Sequence, residues 1–176
     1  MKIFKIVYLN KKTDFLKNKD IKTIEAIKDK FFFQNIFKVD INHQGIAAEV
    51  SKIQSVNYET FTHQKKNIII LDRINDPINI GLIIRNALAF GISGIIIDRK
   101  DFNSASQVMI KKSSGAIEFI DICLVSNISN TIQDLKKKNF WVYGLDSENG
   151  ENIYNEKWSE KNVFIFGSEG QGLREL

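Results

Sequence analysis

The chain of 176 residues has one cysteine, one proline and two histidines. A lone Cys123 allows no intrachain disulfide and no cysteine zinc site, and so little cysteine suits a reducing, cytoplasmic setting. His43 and His63 have no ligand partners at metal-binding spacing and read as surface or hydrogen-bonded side chains, so no metal is expected. Apolar runs stop at about four residues, far short of the ~20 that a membrane span needs. Lys2 and Lys5 interrupt the apolar start, which is therefore not expected to be a signal peptide.

What is present fits a folded protein. Apolar residues make up 43% of the chain and charged residues 26%, close to the globular average. The length allows one domain or two small ones. Charge is uneven: residues 1–66 carry 13 basic and 7 acidic side chains, and residues 67–176 carry 12 and 14. A basic block attracts polyanions through counterion release, which makes nucleic acid a candidate partner. A solvated lysine-rich surface is the alternative on charge alone.

Periodicity predicts an α/β chain. Ile3–Leu9 and Gly45–Ile53 read as strands, and the spacing of Ile21, Ile24 and Ile27 predicts a helix over 20–30. The polar stretch 51–66 reads as a linker. From Asn67 onward, continuous β-branched runs alternate with helical segments. Strands are expected at 67–72, 94–98, 119–125, 140–145 and 162–166, with helices at 82–90, 105–112 and 129–138. That alternation predicts a parallel sheet with helices on both faces.

Two strand-to-helix turns stand out. The first is Asp76-Pro77-Ile78-Asn79-Ile80-Gly81. Pro77 fixes the turn, Asn79 is a candidate N-cap, and Gly81 lets a backbone or a ligand approach closely. Arg85 follows in a helix apolar on nearly every side. A buried guanidinium there needs an anionic partner, internal or bound. The second turn, Gly167-Ser168-Glu169-Gly170-Gln171-Gly172, follows a buried strand. It fits neither a P-loop nor the G-x-G-x-x-G fingerprint. Alone, it is an ordinary tight turn or a ligand loop beyond the carboxyl end of a strand.

Taken together, Asn79-x-Gly81-x-x-x-Arg85 and Gly167-x-Glu169-x-x-Gly172 resemble the SpoU (TrmH) family of RNA ribose 2′-O-methyltransferases, which belongs to the knotted SPOUT superfamily. Asn42–Ala48, Lys111-Lys112-Ser113-Ser114-Gly115-Ala116 and Phe140–Gly144 resemble further stretches of the family. The similarity covers essentially the whole chain and is greatest to bacterial members that methylate a guanosine in 23S rRNA. It implies a partial RNA substrate-binding domain at 1–50, a linker at 51–66 and an incomplete SPOUT methyltransferase domain at 67–176. The chain stops at Leu176, where the family's third motif would begin, and is expected to be short at both ends.

The resemblance further implies S-adenosyl-L-methionine (AdoMet) as cofactor, RNA as substrate (23S rRNA before tRNA) and a homodimer. Asn79 and Arg85 fall on positions facing the target ribose. A guanidinium is not a ready base, so Arg85 is expected to clamp a phosphate and stabilise charge on the 2′-oxygen. Gly167, Glu169 and Gly172, with Ser114 and Gly115 of the middle turn, fall on the cofactor side. Glu169 is expected to orient motif partners or the dimer neighbour. An inactive RNA-binding remnant of such an enzyme is the alternative.

Overall fold

The computed structural model describes residues 3–9, 24–27, 46–92, 94–146 and 150–174. The chain divides into two compact units, residues 1–53 and 54–176.

In the first unit, β1 (Ile3–Leu9) lies between β2 (Ile24–Ile27) and β3 (Ile46–Val50). It runs parallel to β2, with Ile6 opposite Ile24 and Leu9 opposite Ile27, and antiparallel to β3. The strand β2 corrects the helix expected over 20–30, whose remaining residues lie outside the described ones. Ile24 and Ile27 are β-branched, and pairing with β1 outweighs a three-residue stripe that also suits a helix.

The second unit holds a five-stranded parallel sheet. Its strands are β4 (Asn67–Asp72), β5 (Gly94–Asp98), β6 (Asp121–Val125), β7 (Trp141–Leu145) and β8 (Asn162–Gly167). They lie in the order β6-β5-β4-β8-β7. Ile68–Asp72 and the whole of β5 are buried, as their unbroken apolar runs predict for strands covered on both faces. The chain moves outward from β4 to β6, then returns on the other side of β4 through β7 and β8. The direction of winding therefore reverses between β4 and β8. Such reversals open a crevice at the carboxyl ends of the two strands.

Around the sheet lie α1 (Tyr58–Gln64), α2 (Pro77–Ala89), α3 (Gln107–Lys112) and α4 (Ile128–Lys137). Helix α1 falls inside the stretch expected to be a linker. Asn57 caps it, accepting from the amides of Glu59 and Thr60. Phe61, only 1% exposed, joins Ile68, Ile96, Cys123, Ile132 and Val163 in the core. Lys65 reaches Asp121 at 2.7 Å, and the Val56 amide donates to the Ile122 carbonyl at 2.9 Å. A buried aromatic contributes about 1.5–3 kcal/mol, and that contribution turns a polar segment into part of the domain.

Helix α2 departs from expectation at its start. Asp76, not Asn79, is the N-cap and accepts from the Ile78 amide, with Pro77 as the first helical residue. Pro favours that position because its missing amide would have no helical partner. The buried stripe is Ile80, Gly81, Ile84 and Ala87. A Cβ on Gly81 would lie 2.7 Å from the Lys112 Cβ and the Met109 carbonyl. Gly81 therefore permits the close crossing of α2 and α3, the backbone approach foreseen for it.

Candidate active site

A cleft of about 410 Å³ opens where the sheet reverses. One wall is the segment after β4 with the exposed side of α2: Arg73, Asp76, Asn79, Leu82, Ile83 and Asn86. Phe166, Gly167, Ser168 and Glu169, at the end of β8, form the other wall. Residues 79, 82, 83 and 86 share one helix face because they are three or four apart. Asn79 and Glu169 are both exposed.

The loop after β8 is folded back on itself. The Gly172 amide donates to the Ser168 carbonyl at 2.8 Å. A Cβ on Gly167 would overlap the backbone of Gly172 and Leu173. Glycine is thus required at 167 by the loop's own return. Gly172, at φ 59°, takes the left-handed conformation that the turn requires.

The sequence-predicted residues separate into two groups. Asn79, Gly167 and Glu169 meet in the cleft, and Gly172 stands behind it. Arg85, Ser114 and Gly115 are elsewhere. Arg85 sits one turn beyond Gly81 on α2 and is exposed. This corrects the buried guanidinium expected from the apolar run around it. Burial of α2 is confined to one stripe, and Leu82 and Phe90 are exposed too, at 38% and 85%. Ser114 and Gly115, at φ 50° and 85°, form the exposed turn after α3. Neither lines the cleft.

The SpoU rRNA methylase family profile matches residues 66–176, from the start of the five-stranded sheet through both turns. The chain belongs to this family. It is 34% identical over 146 residues to a Staphylococcus aureus protein of the TrmH tRNA/rRNA methyltransferase family, an alignment covering 80% of this chain and 59% of that one. A Staphylococcus saprophyticus protein of the same description is 34% identical over 143 residues, 78% of this chain and 57% of that protein. The chain thus spans under two thirds of the length of these relatives. Among solved structures, a TrmH-family protein from Porphyromonas gingivalis superposes with TM-score 0.75 at 20% identity, over 98% of this chain and 68% of that one. The SpoU methyltransferase AviRb from Streptomyces viridochromogenes gives 0.77 at 16%, over 98% and 67%. At these identities the structures show the shared fold.

In this SpoU-family chain, sequence reasoning missed three charged residues beside the cleft. Asp72 ends β4 and is fully buried. It accepts from the Arg174 amide at 3.1 Å and from Arg174 Nε at 2.6 Å, and it pairs with Arg174 Nη2. That hydrogen bond, before any other cause, raises the Arg174 pKa and keeps it cationic. Arg73, at φ 60°, donates from Nη1 to Gln171 Oε1 at 2.9 Å and from Nη2 to the Gly172 carbonyl at 3.2 Å. A carboxylate closing an otherwise apolar buried strand was the available signal. Nearby, Asp101 has a buried Oδ2 with no hydrogen-bond partner. Burial, and next the neighbouring Asp98, raise its pKa.

Proposed function

We propose that this SpoU-family protein is an AdoMet-dependent RNA ribose 2′-O-methyltransferase, acting on a guanosine of 23S rRNA in preference to tRNA. The cleft carries the reading: it brings the two turns, far apart in sequence, to one point at the reversal of a parallel sheet. We assign RNA recognition to the basic first third, residues 1–66, with the substrate-binding domain at 1–50, and the working form to a cytoplasmic homodimer. The TrmH-family tRNA/rRNA methyltransferase relatives support the RNA substrate. The AviRb structure solved with AdoMet supports the cofactor.

The residues present suit that cofactor. A volume of about 410 Å³ falls within the ~300–1,000 Å³ of small-molecule sites. The lining mixes carboxylates with one guanidinium, matching a ligand with a sulfonium, an ammonium and a carboxylate. Gly167, Ser168 and Glu169 would hold it, with Gly172 shaping the loop. When bound, AdoMet supplies an electrophilic methyl group.

The chain's own residues then do the positioning. The Asn79 amide both donates and accepts, so it can orient a ribose hydroxyl. Glu169, on the opposite wall of the cleft, offers only hydrogen-bond acceptors and can take the donor end of the same group. Arg85, exposed on the same helix, can take a phosphate of the RNA arriving from solvent and offset negative charge on the 2′-oxygen. Holding the oxygen in line with the methyl group converts an encounter into an oriented reaction. Ser114 and Gly115, in the exposed turn after α3, are assigned to the cofactor side from the family resemblance. Incubation with labelled AdoMet and bulk RNA, followed by mapping of alkali-resistant 2′-O-methyl positions, tests the proposal. Label at a guanosine of 23S rRNA is the expected result. Label on a base, or no transfer at all, overturns it.

A further inference from the structure

We infer that Asp72 is a positioning residue whose buried carboxylate, through Arg174, sets the Gly167–Glu169 wall of the cleft. The inference rests on the reading of that cleft as the AdoMet site.

Asp72 is the last residue of the central strand, opposite Gly167 in the β4–β8 register. It is fully buried. An isolated carboxylate there is strongly disfavoured, and an apolar residue would generally be at least as stable as an ion pair. What the carboxylate adds is direction. It takes both the main-chain amide and the guanidinium of Arg174, fixing where the chain goes after the loop. Arg73, with Nε 3.7 Å from the same carboxylate, holds Gln171 and the Gly172 carbonyl. The far limb, 171–174, is therefore tied to the end of β4 at three residues. The Gly172–Ser168 hydrogen bond passes that restraint to the near limb, 167–169, which faces the cleft. None of these contacts puts Asp72 itself on the ligand side.

The test uses Asp72→Asn, which keeps the shape and removes the charge, in the intact protein. Hydrogen exchange of the 168–174 amides should accelerate at least tenfold while β5 and β6 amides stay unchanged. KM for AdoMet should rise at least tenfold, with kcat at saturating AdoMet and RNA affinity changed less than threefold. If Asp72→Asn does not fold, Arg174→Gln removes the more exposed partner and should give the same pattern. Arg174→Lys, with charge but no fork, should recover part of the affinity. Unchanged exchange in 168–174, or acceleration spread evenly over the sheet, overturns the inference. Wild-type protein that fails to bind AdoMet while the loop still responds to Asp72→Asn overturns the cofactor reading and leaves the positioning role standing.

Discussion

Two cavities lie side by side along one face of helix α2, sharing Ile83, Asn86 and Phe166 yet differing in chemistry. The cleft at the carboxyl ends of β4 and β8 is the smaller, about 410 Å³, and carries Arg73, Asp76, Asn79 and Glu169. The adjoining groove, about 830 Å³, is lined by Ile69, Ala87, Phe90, Leu145, Trp158 and Phe164. Its aromatic floor is well packed: Tyr143 stacks on Phe164 at 5.6 Å, and Trp158 meets both edge-on. The groove offers area and little direction. The cleft offers less area but several groups that can orient a ligand, at the point where strand order reverses. Volume ranks the groove first. The proposed methyl transfer favours the cleft, because aligning reacting atoms needs directional contacts.

The largest expected effect separates the two cavities. Asn79→Ala should lower kcat/KM for methyl transfer about 100-fold, equivalent to ~2.7 kcal/mol of barrier. Phe90→Ser, on the rim of the groove and 85% exposed, should leave it within about twofold. Equal losses from both, in a radiolabel transfer assay with matched folded protein, would erase the distinction.

Arg85 sharpens it. The side chain is exposed and outside the cleft, but its proposed hold on an RNA phosphate means that Arg85→Ala should cost more than about tenfold in transfer, or ~1.4 kcal/mol. AdoMet affinity by calorimetric titration should stay unchanged. A parallel loss of cofactor affinity would move Arg85 to the cofactor side.

RNA binding should track the basic block and not the cleft. Its affinity should weaken about tenfold or more between 50 and 200 mM salt, as phosphate contacts do. Replacing Lys11, Lys12, Lys17 and Lys19 with Gln should flatten that salt slope, whereas replacing Lys136 and Lys137 should not. A salt-independent affinity would remove the basis for placing RNA recognition in residues 1–66.

The smallest effect concerns the carboxylates beside the cleft. The Asp101 pKa is raised in the folded state, chiefly by burial. The folded state then binds the proton more tightly than the unfolded one, so stability falls as pH rises from the ordinary carboxyl value through the folded one. Asp101→Asn should raise the thermal midpoint by on the order of 1–2 °C at pH 7. The gain should fade as pH drops and vanish well below the ordinary carboxyl value, where both states are protonated. A gain that persists at low pH would mean that Asp101 acts through packing alone.

Residue pattern alone carried the second unit far. Ile68–Leu71, Gly94–Asp98 and Val163–Phe166 are short β-branched or aromatic runs of the kind buried strands use, and each became a parallel strand, with Phe164 and Phe166 of the last turned to the groove. Gly81 and the Gly167–Gly172 loop were visible as places needing close backbone approach, and the approach is there. The pattern misled where one local preference served two structures. Ile24 and Ile27 suit a helix stripe or a strand, and only the partner β1 decided between them. Polar residues 58–64 concealed a helix, because Phe61 is its one fully apolar anchor and its other inward residues, Tyr58 and Thr62, carry hydroxyls.

The sequence determined the class of fold, its family and the two turns that meet in the cleft, since these depend on residue type at short spacing. Tertiary structure alone decided which face of α2 is buried and hence that Arg85 points outward. It also decided that Asp76 caps the helix and that Asp72 holds Arg174, 102 residues away. These last features depend on which distant backbone lies alongside, and no local periodicity encodes that.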